Sequence, residues 1–200
     1  METDQPNRGV VAGTIASTPT TFTCRGEIFN TFKLDILRSS GTTDTLVVTA
    51  SQYLLKEAAI GDHVAFEGQI RTYQKIVGDK SHLQIAFFAT DRVLYETDQN
   101  EMDLVGFVCK PPQHRFTPLG REICDLMIAV NRSKGKSDYI PCVVWGRLSK
   151  FASELSVGDK VHLTGRLQSR TYKKSLPDGT VEKRVAYELS VKTLSLADEN

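Results

Sequence analysis

Two stretches decide the fold: IGDHVAFEGQI at residues 60–70 and VGDKVHLTGRL at residues 157–167. Each opens on an apolar-Gly-Asp turn and continues as an alternation of apolar and polar residues through a glycine. In the second stretch Val161, Leu163, Gly165 and Leu167 fall on one side, and His162, Thr164 and Arg166 on the other. A period of two is the signature of a strand with one face turned inward. The likeness spreads outward from there. Gly13 and Pro19 are matched by Gly106 and Pro112, and FKLDILR at 32–38 by LMIAVNR at 126–132. The offset drifts only from 93 residues at the glycines to 97 at the Gly-Asp turns. Self-similarity at that distance means two copies of one small domain, since solenoid repeats are shorter.

Each copy reads mainly as strands. In the second, residues 103–110, 122–131, 138–145, 160–170 and 184–194 have alternating or β-type composition. Between the third and fourth of these lies RLSKFASEL (147–155), with Leu148, Phe151 and Leu155 at spacings of three and four. That spacing predicts a short amphipathic helix. SQYLLKEAA (51–59) is its counterpart in the first copy. The order β-β-β-α-β-β predicts an all-β protein: two tandem OB-fold five-stranded barrels, each with a short helix between strands 3 and 4. The expected boundaries are 8–95 and 102–196, with ETDQNE (96–101) as the polar linker.

Composition narrows the function classes. Of 200 residues 24% are charged and 40% hydrophobic, ordinary values for a soluble globular chain. No apolar run approaches the ~20 residues of a membrane span, and the polar, acidic start METDQPNRG is not read as a signal peptide. Cys24, Cys109, Cys124 and Cys142 lack zinc-ligand spacing, and a reduced, cytoplasmic protein is expected. The net charge of +1 hides an asymmetry. Residues 1–100 carry 9 Lys/Arg against 12 Asp/Glu, and residues 101–200 carry 16 against 12. GKS at 135–137 is not a phosphate-binding loop, because Val130 stands where that motif needs its first glycine. His63, His82, His114 and His162 are scattered. No metal, cofactor or nucleophile–base arrangement emerges, and the chain is read as non-enzymatic.

The second copy resembles bacterial single-stranded DNA-binding protein. The resemblance rests on IAVNR (128–132), YIPCVVWGRLSKFA (139–152), VGDKVHLTGRLQSRTY (157–172) and the Asp178–Gly179 turn with its following Tyr-Glu strand. The first copy keeps the layout but few signature residues, so the whole is similar to the variant of the family with two OB folds per chain. The resemblance implies single-stranded DNA as partner, in replication, recombination and repair. It also implies a homodimer presenting four OB folds, and Tyr139, Trp145 and Tyr172 as base-stacking residues. Family members carry a long tail that recruits other proteins. Here the last residues are LSLADEN (194–200), so tail-mediated recruitment is not expected.

The residues support that chemistry independently. Ile140, Cys142 and Val144 alternate with Tyr139 and Trp145, which therefore point out. Arg166, Gln168, Arg170 and Tyr172 share the outer face of the next strand. Aromatic plates walled by cations suit sequence-tolerant single-strand binding, because every base has a face to stack and every phosphate a charge to neutralise. Arg132, Arg166 and Arg170 are the expected phosphate contacts, with Arg147 and Lys173 beside them. Lys134, Lys136, Lys173 and Lys174 are read as loop residues, and KKSLPDGTVEKR (173–184) as a hairpin arm turned at Pro177 and Gly179. In the first copy the triplet Arg-Thr-Tyr recurs at 71–73, giving Arg71 and Tyr73 as candidates. Glu67 opposes phosphate on that face, Val48 stands near the register of Trp145, and nothing replaces Tyr139. Phe87 and Phe88 must point to opposite faces, one to the core and the other outward as an interface or stacking residue. The alternatives are an OB-fold interaction scaffold, a primosome-type accessory factor with weak or no DNA binding, and RNA in place of DNA.

Overall fold

The computed structural model describes residues 7–77, 80–132, 135–175 and 179–198. The first copy consists of β1 (Asn7–Ile15), β2 (Thr20–Cys24), β3 (Glu27–Leu37), β4 (Thr43–Ser51), β5 (His63–Val77) and β6 (Lys80–Val93). The second has β7 (Gln99–Val108), β8 (Gln113–Phe116), β9 (Glu122–Asn131), β10 (Ser137–Trp145), α1 (Arg147–Glu154), β11 (Lys160–Ser175) and β12 (Val181–Leu196).

Each copy closes a ring of five. In the first, β1 pairs with β3 and β5, β5 with β6, β6 with β4 in parallel, and β4 with β3. In the second, β7, β9, β10, β12 and β11 repeat the circuit, with β10–β12 the parallel pair. Closure removes sheet edges, and the two rings are OB barrels. Strands β2 and β8 are short additions on β3 and β9. The predicted inward residues Val161, Leu163 and Leu167 are buried, as are Ile140, Cys142 and Val144. The repeated glycine has a steric cause. A Cβ on Gly165 would collide with the Ser190 carbonyl, and one on Gly68 with the Phe88 carbonyl, each at a bulge in the long hairpin.

Two expectations need correction. Residues 51–59 are not a helix. Leu55 N–H bonds the Ser51 carbonyl and Ala58 N–H the Leu55 carbonyl, but Glu57 lies at φ 63°, which ends the turn. Among the described residues α1 is therefore the single helix, and it seats Ser149 and Ala152 fully buried. Nor is 96–101 simply a linker. Gln99, Asn100 and Glu101 already belong to β7 and pair with Ala12, Val11 and Val10 of β1. Their backbone ladder joins the two barrels into one sheet.

The junction is duplicated. Asn7 bonds both the carbonyl (2.8 Å) and the N–H (2.9 Å) of Ile70, and Asn100 does the same to Leu167 at 2.7 and 2.9 Å. Two buried carboxylates then reach across from one copy to the other. Asp44 pairs with Arg38 of its own copy and accepts the N–H of Ser169 at 3.1 Å. Asp138 pairs with Arg132 of its own copy and accepts the N–H of Thr72 at 2.5 Å. Both carboxylates are fully buried, and such groups persist only where they are paired and hydrogen-bonded.

Candidate nucleic-acid interface

Strand β10 organises the site. Its outward residues are Tyr139, Pro141, Val143 and Trp145. Val143 and half-buried Trp145 line a groove of about 1870 Å³ that crosses the outside of both barrels. Its basic residues are Arg8, Arg38, Arg115, Arg121, Arg166, Arg170 and Lys192, and Glu67, Asp91, Glu101, Asp103 and Glu188 intersperse them. Pro141 instead lines a smaller cleft of about 410 Å³ with Tyr172, Tyr187, Arg184 and, from the first copy, Leu83, Gln84 and Ile85. The outer face of one strand thus runs from one depression into the other.

The predicted aromatics are open to a ligand. Tyr139 is 48% exposed and Tyr172 36%. Arg170 links the two depressions: its guanidinium lies 5.7 Å from the centre of the Tyr172 ring, and it also lines the larger groove. Its Nε is 3.5 Å from Glu188. Tyr187 adds a ring that the sequence pattern did not single out. Burial, with Tyr73 nearby, pushes its phenol up.

Arg166 has an unusual environment. Its Nε is buried without a hydrogen-bond partner among the described residues, and its terminal nitrogen makes a long 3.5 Å bond to Gln168. Burial and then the neighbouring Arg38 hold its pKa below the ordinary arginine value, against the opposing pull of Asp44. A desolvated donor costs free energy until an acceptor fills it, and an anion supplies the strongest one.

Other expected contacts are differently occupied. Arg132 donates to Asp138 from Nε at 2.6 Å and to the Thr72 carbonyl at 2.8 Å. Arg71 donates to the same carboxylate at 3.0 Å. These two guanidinium groups neutralise a buried charge, which is why neither stands free on a solvent face. Gln168 is buried and donates to Glu188 at 2.9 Å, and it lines the larger groove on the same face as Arg166 and Arg170. Arg147 is exposed at the start of α1, outside both depressions. Lys173 lies in β11 opposite Lys183, not in a loop, and Lys136 is exposed. Lys134, the Lys174 side chain and the turn at Pro177 fall outside the described residues, as does the side chain of His82.

The register also revises the match between the copies. The bulges set Gly68 against Gly165, so Arg71 occupies the place of Gln168 and Tyr73 that of Arg170. The second Arg-Thr-Tyr triplet is displaced by two residues, which preserves its face. Glu67 and Thr164 do correspond, and both line the groove. Val48 corresponds to Cys142, since each is a core residue paired in parallel with the last strand of its barrel. The true counterparts of Trp145 and Tyr139 are Ser51 and Thr45. A readable signal for the carboxylate hubs was missed: Arg38 and Asp44, like Arg132 and Asp138, stand six residues apart.

The family model for the single-strand binding protein family matches residues 99–197. Through that half, the chain belongs to the single-strand binding protein family. The single-stranded DNA-binding protein of Clostridium tetani is 35% identical over 88 residues, 40% of this chain and 59% of the relative. Single-stranded DNA-binding protein A of Bacillus subtilis is 36% identical over 80 residues, 36% of this chain and 46% of the relative. The chain spans about half the length of the curated relatives it matches. The crystal structure of the single-stranded DNA binding protein from Thermus aquaticus superposes over 97% of this chain and 94% of that one, with a TM-score of 0.73 at 20% identity. The likeness of fold therefore extends through both barrels. No helix among the described residues is long and apolar enough to cross a membrane.

Proposed function

We propose that this chain is a non-enzymatic, cytoplasmic single-stranded DNA-binding protein built of two OB units, the second beginning with β7 at Gln99. It coats strands exposed during replication, recombination and repair. The observation that carries this reading is the groove that Trp145 lines together with Arg166, a guanidinium with a buried, unfilled Nε. Bases stack on Trp145, Tyr172 and Tyr139, and phosphates take up the donors of Arg166 and Arg170. A duplex hides its base faces and is excluded. Arg132 and Arg71 act at one remove, by holding Asp138 and with it the two barrels. Arg147 and Lys173 lie at the periphery, and Tyr73 is the stacking residue that the Arg-Thr-Tyr triplet of the first copy supplies.

Titration with oligo-dT, oligo-rU and duplex at two salt concentrations tests this. Log K for oligo-dT should fall with log[salt] by about 0.7 per neutralised phosphate, and Arg166→Ala should lower that slope by somewhat less than ~1. Binding to duplex as tight as to oligo-dT would overturn the reading. Stronger binding of oligo-rU would redirect it to RNA.

The active form is a homodimer presenting four barrels through an isologous interface. Light scattering should give about 44 kDa, twice the 22.2 kDa of one chain. A monomer mass at micromolar concentration would contradict it.

A further inference from the structure

The first copy has lost the aromatic side chains of β10, yet it carries an open aromatic row of its own. Phe22 and Phe29 are cross-strand partners with ring centres 5.7 Å apart and planes inclined by 24°. Phe88 stands 5.7 Å from Phe29 on its other side. Phe22 remains 43% exposed on β2, whose one strand neighbour among the described residues is β3.

The position of this row in the pseudo-repeat is informative. Across three strands of the second copy, one line of residues reads Arg115, Ile123, Trp145. The same line in the first copy reads Phe22, Phe29, Ser51. The aromatic has moved from the third strand of the row to the first two. The row is also continuous with the groove that holds Trp145. Gln69, the cross-strand partner of Phe88, lines that groove, and so does Thr90, two residues along the same face of β6. The wall between them carries Glu67 and Asp91. Phosphate is disfavoured there, whereas an uncharged base face is not.

We propose that Phe22, Phe29 and Phe88 form a second base-stacking surface, which takes unpaired bases of the same strand that occupies the Trp145 groove. The proposal rests on the single-strand reading above. Because stacking on a ring neutralises no phosphate, this surface's share of the affinity is insensitive to salt.

Combining Phe22→Trp with Trp145→Phe moves the sole indole onto this surface. Binding is followed separately by the anisotropy of labelled oligo-dT. A long oligomer should quench the relocated indole at saturation. A short oligomer that already quenches Trp145 in the parent should leave it unchanged. In the parent background Phe29→Leu keeps an apolar side chain under Phe22 but removes the ring. It should weaken long oligo-dT about five- to tenfold with the salt slope and the melting temperature unchanged.

A silent relocated indole when anisotropy shows the double variant saturated with the long oligomer overturns the proposal and leaves the single-strand reading intact. A halved mass in light scattering on Phe29→Leu also overturns it, since the row would then be covered by a second copy of the chain. If the parent binds no oligo-dT, both fall.

Discussion

Replacing Asp138 by alanine should destabilise the protein by about 3–5 kcal/mol, the cost of removing one member of a buried ion pair. Asp138 is fully buried and accepts from Arg132, Arg71 and both the N–H and hydroxyl of Thr72. Its loss leaves two guanidinium groups repelling each other and an unfilled N–H at the junction of the barrels. The arginine side chains keep about a quarter of their surface in water (24% and 29%), which places the expected loss at the lower end of that range. Asp44→Ala should cost less, because that carboxylate holds one arginine and one N–H. Denaturant melts of both variants check the order. A loss below ~1 kcal/mol for Asp138→Ala would mean that the barrels do not depend on this hub.

The largest loss of affinity is expected at Trp145. Trp145→Ala should weaken oligo-dT by ~1–3 kcal/mol, the scale of one stacked base, and Tyr172→Ala by a similar amount. Tyr73→Ala should cost less than half as much. Tyr73 takes the register position of Arg170, and its barrel has Ser51 and Thr45 where the other has Trp145 and Tyr139. Fluorescence anisotropy of a labelled oligomer measures all three, with melting temperatures matched to the parent. Equal losses at Tyr73 and Tyr172 would contradict the asymmetry.

How much of this was legible beforehand depended on the range of the interaction. The alternation through Val161, Leu163 and Leu167 is a local property, and it located β11, its inner face and its counterpart in the first copy. The outward direction of Tyr139 and Trp145 followed from the same rule. The helix at 51–59 failed because the pattern of Leu54 and Leu55 carries no sign of the positive φ that Glu57 adopts. The pairing of Arg132 and Arg71 with Asp138 was not legible for a different reason. Their partner is buried only because the other copy supplies Thr72, and the two stand 66 residues apart in the chain. Periodicity within one strand is silent on such contacts. The spacing of six between Arg and Asp in both copies was the trace they left in the sequence.

The single tryptophan makes the decisive measurement simple. Its emission should fall to a plateau as oligo-dT saturates the protein and stay constant on addition of duplex, because only an unpaired base can stack on Trp145. Constant emission at saturating oligo-dT, with binding verified by anisotropy, would remove Trp145 from the site and contradict the account.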